Sequence, residues 1–322
     1  MTIGTRHLVD PELVPLLDAW PKIHLTSETL VAMRETARLP IPEDPATVAA
    51  VVSDRRWVPG PAGAPEIALY SYRPKAADAS APLPCIFHIH GGGYVGGAAE
   101  PLAPIHRALV AQLGCALVSV DYRLAPETVF PGAIEDCYAA LGWLFGHAAA
   151  MGIDAARIGV MGESAGGGLA AALALLARDR GEYGLAFQHL IYPMLDDRTC
   201  VATDPSPTAG EFVWPPHNNA FGWSALLGHA PGAPDVSPYA APARATDLAG
   251  LPPTFIATGA LDLFVDEDLD YARRLMRAGV AVELHVYPGG FHGFDFDPAA
   301  KVAAQARRDS HEALARALGP VR

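Results

Sequence analysis

Cysteine is sparse and scattered: Cys85, Cys115, Cys137 and Cys200 are the only four in 322 residues, and no two form a Cys-x-x-Cys. That spacing points to neither a zinc cluster nor a disulfide framework. Three of the four sit in apolar surroundings and read as small core residues. Positive charge is also thin. The 23 Lys and Arg stand against 35 Asp and Glu, for a formal net charge of −12, and no basic run exceeds pairs such as Arg55-Arg56 and Arg273-Arg274. A phosphate backbone needs clustered cations, so nucleic acid and an anionic membrane surface are poor partners. No uninterrupted apolar stretch reaches the ~18 residues of a membrane span. Met1 to Asp18 lacks a basic leader followed by an apolar run, so a cytoplasmic location is expected. What the chain does have is 51% hydrophobic residues, enough for a large core in one large domain or two medium ones.

From about residue 85 onward, short apolar runs alternate with helical patterns. Residues 85–90, 116–120, 157–161, 187–192, 254–258 and 282–287 read as buried strands. Helical stretches fall at Ala103 to Leu113, Ala133 to His147, Ala165 to Arg178 and Asp266 to Ala278. That alternation implies an α/β fold with a mostly parallel sheet covered by helices on both faces. Arg55 to Pro59 and Ile67 to Arg73 are expected to add an antiparallel edge, joined by a turn at Pro59 to Pro65. Two regions break the rhythm. Residues 1–50 carry a helix from Glu28 to Arg38 with Ser27 as its N-cap. Residues 194–245 are rich in Pro and aromatics, among them Phe212, Trp214, Phe221 and Trp223. Insertions at strand C-termini overhang the ligand crevice of an open sheet, so both regions are read as a cap, helical in character. Residues 51–193 and 246–322 then form the two parts of the core. The edge near Val282 to Tyr287 would be unpaired and open to a homodimer.

The chemistry concentrates in four places. Gly162-Glu163-Ser164-Ala165-Gly166 is a G-x-S-x-G entered by a strand and followed by an Ala/Leu-rich helix. A strained strand–turn–helix needs small neighbours around the Ser, and the helix start is positive. His90-Gly91-Gly92-Gly93 follows another strand. Its glycines allow backbone N–H groups to face a developing oxyanion, and no Lys-Ser/Thr follows as a phosphate loop would require. The amides of Gly92, Gly93 and Ala165 are expected to form the hole. His88 and His90 make an H-x-H, but with no acidic partner nearby a metal is the minor reading; His90 is read as anchoring its own loop. A serine needs a base, and His292, in a Gly-flanked loop after the last strand, is the best placed. His285, inside that strand, reads as packing. The base needs a carboxylate: Asp262 leads the loop after the preceding strand and is favoured over Asp266, which with Glu267 suits the dipole of the next helix. The order Ser164, Asp262, His292 is the one associated with α/β-hydrolases.

These motifs, over residues 85–295, resemble the hormone-sensitive-lipase family of esterases, bacterial family IV. Further marks are Asp121-Tyr122-Arg123-Leu124-Ala125-Pro126-Glu127 and Phe291-His292-Gly293-Phe294. The resemblance implies an α/β-hydrolase fold with a two-part cap and hydrolysis of a small ester without cofactor or metal, as in small bacterial acetyl esterases. It also implies that Arg123 and Glu127 make supporting polar contacts. Glu163 departs from the pattern, which more often has Asp or Thr there, and leaves the hydrogen bonding at that position open. An amidase, peptidase or lactonase would use the same residues, and a binding-only protein on this scaffold is the alternative outside enzymes.

Overall fold

The computed structural model describes residues 4–36, 41–77 and 81–319. The strands are β1 (Val51–Val58), β2 (Ile67–Pro74), β3 (Leu83–Ile89), β4 (Ala116–Asp121), β5 (Ile153–Glu163), β6 (Gln188–Ile191), β7 (Thr254–Gly259) and β8 (Val282–Tyr287). They form one sheet in the order β1-β2-β4-β3-β5-β6-β7-β8. β2 runs antiparallel to both β1 and β4, and every other pairing is parallel. The central parallel strands are largely apolar because both faces are covered; every residue of β3 is buried.

The helices are α1 (Val14–Ala19), α2 (Leu30–Thr36), α3 (Pro45–Ala50), α4 (Ala103–Leu113), α5 (Gly132–His147), α6 (Ala165–Arg180), α7 (Pro216–Leu227), α8 (Val265–Arg277) and α9 (Lys301–Leu318). Strand periodicity sorts them. Phe87, Ile89, Val118 and Val160 point to one face, where Leu141 of α5, Leu173 of α6 and Tyr271 of α8 close over them. Ile86 and Leu117 point to the other, against Leu109 of α4 and Leu314 of α9. Among the described residues no helix is long and apolar enough to cross a membrane.

Several expected boundaries move. β1 begins at Val51 rather than Arg55, and β5 runs from Ile153 to Glu163, well past the apolar 157–161 segment. The helix expected over Glu28 to Arg38 is α2, starting at Leu30; residues 37 and 38 lie outside the described residues. Thr26, not Ser27, caps it: Thr26 Oγ1 accepts from the N–H of Glu28 and Thr29, each at 3.2 Å. α9 lies outside the expected helices; its buried face combines Ala303, Ala306 and Ala313 with Ser310, Leu314 and Leu318.

The N-terminal region and the 194–245 region touch each other. Leu25 N–H donates to Asn218 Oδ1 at 2.8 Å, and Asn218 Nδ2 donates to the Ile23 carbonyl at 2.9 Å. Arg34 of α2 ties the same region to the core: its Nε donates to the Val95 carbonyl at 2.7 Å, Nη2 to the Ala125 carbonyl at 2.9 Å, and both Nη atoms to the Glu127 carboxylate at 2.8 Å. This is the polar contact expected of Glu127. Arg123 meets the buried Asp136 through Nε at 2.7 Å and Nη2 at 2.6 Å.

Candidate active site

The end of β5 turns sharply into α6, and Ser164 sits at the turn with φ 56° and ψ −123°. A non-glycine residue at positive φ is strained, and here the surroundings hold it there. Ser164 N–H donates to the Ile191 carbonyl at 2.9 Å, while its own carbonyl accepts from Gly168 and Met194 at 3.0 and 2.9 Å. The flanking glycines are required by close approach. A Cβ on Gly162 would lie 2.3 Å from the Gly166 carbonyl oxygen, and one on Gly166 would lie 2.1 Å from that of Ile89.

His292 Nε2 is 3.0 Å from Ser164 Oγ, and His292 Nδ1 is 2.8 Å from Asp262 Oδ2. Asp262 is fully buried and spends its other oxygen on the Phe264 N–H at 3.0 Å, so its carboxylate cannot swing away. Ser164 and His292 keep only 7% and 8% exposure. The imidazole is walled by aromatic rings: Tyr192 at 4.7 Å, Phe264 edge-on at 5.3 Å and Trp214 at 6.4 Å. Asp266 is exposed at the start of α8 and does not join this group. Glu267 differs from the helix-end role expected of it. It is buried and accepts from the N–H of Leu195 and Asp196 at 2.6 and 3.2 Å and from the Thr199 hydroxyl, and burial pushes its carboxyl well up.

The glycine loop lies against the elbow. A Cβ on Gly91 would meet Ser164 Cβ at 3.4 Å and the Glu163 carbonyl oxygen at 2.8 Å. Gly92 and Gly93 have φ of +123° and +62°, backbone that L side chains rarely adopt. Among the described residues nothing accepts from the N–H of Gly92, Gly93 or Ala165. The Ala165 N–H opens α6, where the helix dipole adds positive potential.

His88, His90 and His285 lie outside this hydrogen-bonded group. His90 Nδ1 is 2.9 Å from the Gly91 carbonyl oxygen and its ring stacks on Tyr122 at 4.3 Å, anchoring the loop as expected. His88 lies 3.0 Å from Glu163 and 2.9 Å from Ser119, so an acidic partner is present where none was expected, brought there by the strand end that precedes Ser164. His285 packs as expected, against Phe255 at 5.4 Å and Tyr287 at 5.9 Å, and is half-buried, with Nε2 2.9 Å from Glu283 and Nδ1 3.7 Å from Asp309. Trp223 is fully buried against Tyr94 and belongs to the core, not to the crevice. Tyr192 and Asp295 were not foreseen. The Tyr192 hydroxyl donates to Asp295 Oδ1 at 2.9 Å, bracing the loop that carries His292, and no local motif announces the pair.

Residues 86–296 match the family described as alpha/beta hydrolase fold. Carboxylesterase NlhH of Mycobacterium tuberculosis is 36% identical over 318 residues, 96% of each chain. Ethyl acetate hydrolase of Pseudomonas putida is 34% identical over 224 residues, 69% of this chain and 70% of that one. Among solved structures, the Bacterial Heroin Esterase superposes with a TM-score of 0.89 at 40% identity, covering 98% of this chain and all of that one. The chain belongs to the α/β-hydrolase family, among the carboxylesterases of its hormone-sensitive-lipase branch.

Proposed function

We propose that this carboxylesterase cleaves small acetyl-type esters, with Ser164 as nucleophile, His292 as base and Asp262 as the group that orients it. The observation that carries this reading is the hydrogen-bonded chain from Ser164 Oγ through the imidazole to Asp262, at 3.0 and 2.8 Å. His292 Nε2 takes the hydroxyl proton as Oγ attacks the ester carbonyl carbon. Asp262 keeps the proton on Nδ1 in the resting ring and stabilises the imidazolium that forms. The carbonyl oxygen becomes an oxyanion held by the amides of Gly92, Gly93 and Ala165, each such donor being worth about 3 kcal/mol of barrier. His292 then protonates the departing alcohol, and water repeats the cycle to release the acid.

The short-acyl preference draws support from the relative named for ethyl acetate. The N-terminal and 194–245 regions are proposed to act together as the cap, and the exposed β8 edge as the face for a second copy. Free thiols at all four cysteines fit the reducing cytoplasm. The deciding experiment is hydrolysis of p-nitrophenyl esters from acetate to decanoate, with fluorophosphonate labelling of wild type and Ser164→Ala. Turnover that peaks at acetate or propionate and disappears with the hydroxyl is expected; turnover surviving Ser164→Ala rejects the reading.

A further inference from the structure

Gly93 has no room for a side chain, and the obstruction comes from Trp214. A Cβ built on Gly93 would lie 2.1 Å from Trp214 Cη2 and 2.5 Å from Cζ2. The benzo edge of the indole therefore rests directly on the Cα of a proposed oxyanion donor. α7 closes the other side: a Cβ on Gly222 would meet the Gly93 carbonyl oxygen at 2.7 Å and Trp214 Cζ2 at 3.5 Å. The indole is also fixed at its other end. Its Nε1 donates to Asn219 Oδ1 at 3.2 Å, and its backbone N–H returns to the Phe212 carbonyl at 2.7 Å around Val213, which has φ +62°. A tight three-residue turn of that hand is rare and strained, so this orientation is imposed by its surroundings.

The position of the ring matters because the three substituents of the reacting carbonyl carbon have assigned directions. The oxygen faces the amides of Gly92, Gly93 and Ala165, and the leaving oxygen faces His292 Nε2. The acyl chain must take the direction that is left. Trp214 touches the donor loop itself but stands 6.4 Å, centroid to centroid, from the imidazole. The indole therefore borders the reacting carbonyl on the side of the oxyanion donors. We infer that Trp214 determines acyl specificity, its indole closing the acyl subsite so that acetyl and propionyl groups fit and longer chains collide. This rests on the ester-hydrolase reading and deepens it.

The test compares wild type, Trp214→Ala and Trp214→Phe on p-nitrophenyl acetate, butyrate, hexanoate and octanoate, and on acetates of phenol, 1-naphthol and cyclohexanol. A hydrophobic pocket discriminates about tenfold or more per misfitting group. In Trp214→Ala the hexanoate-to-acetate ratio of kcat/KM should therefore rise by at least that factor. Trp214→Phe, which keeps an apolar ring and guards against a folding defect, should rise less, and the ranking of alcohols should not change. An unmoved acyl profile, or a shift confined to the alcohol series, overturns the inference. If wild type labels with fluorophosphonate and turns over acetate while the ratio stays fixed, this inference alone fails. If wild type neither labels nor hydrolyses any ester, the functional reading fails and takes this one with it.

Discussion

Glu163 reaches away from the nucleophile it precedes: its carboxylate lies 3.0 Å from Nε2 of His88, on the opposite face of the sheet from the core packed around α6. His88 is buried, packed edge-on against the His106 ring at 4.3 Å, and its polar partners are Glu163 and Ser119. Glu163→Gln keeps an acceptor in reach of the imidazole and should cost at most about 1 kcal/mol of stability. Glu163→Ala leaves a buried ring nitrogen unpaired and should cost roughly 2–3 kcal/mol. Urea unfolding of the two variants separates these cases; equal losses would count against a specific pair.

Asp262→Asn keeps the shape of the carboxylate while allowing the imidazole to adopt the wrong tautomer. Turnover of p-nitrophenyl acetate should fall by about four orders of magnitude. Activity within tenfold of wild type would remove Asp262 from the mechanism.

Two glycines with opposite surroundings test how the elbow is built. Gly166→Ala places a Cβ 2.1 Å from the Ile89 carbonyl oxygen and 2.5 Å from that of His90, both rigid backbone, and should cost more than about 3 kcal/mol or prevent folding. Gly146, inside α5, has nothing within 4 Å of its added Cβ, so Gly146→Ala should gain about 0.5–1 kcal/mol. Thermal melts showing the two alike would contradict this packing.

The pH dependence follows from Asp295. Burial outweighs the hydrogen bond from Tyr192 and raises its carboxyl from 3.8 to about 6. Across that interval the native state holds the proton more firmly than the unfolded chain does. The contribution of Asp295 to stability therefore declines as pH climbs from about 4 to 6 and stays low above, by at most about 3 kcal/mol. Asp295→Asn does not titrate, so it should gain on wild type between pH 4 and pH 8. Melting curves that stay parallel over that range would exclude the effect.

The parts legible in the sequence are those set by local constraint. Ser164 announces itself because the strained turn forces glycine at 162 and 166, and the glycine loop because close approach forces glycine at 92 and 93. His292 and Asp262 follow from their places after consecutive strands of the alternating pattern. What was missed depends on contacts between distant segments. Glu267 reads as an ordinary helix-end acid until the 195–199 loop folds onto it. Trp214 is one aromatic among several in its segment, and only the folded chain sets it against Gly93. α9 hides because three alanines and a serine share its inner face with two leucines, which blurs the periodicity.

Arg34 spends one guanidinium on four bonds, shared between the strip of chain after the glycine loop, the Ala125 turn and Glu127. Hinging α2 outward would strip all of those acceptors in a single event. This corner of the molecule therefore behaves as a bolt, and Leu30, Val95, Ala125 and Trp214, which pack together behind it, would lose their cover with it.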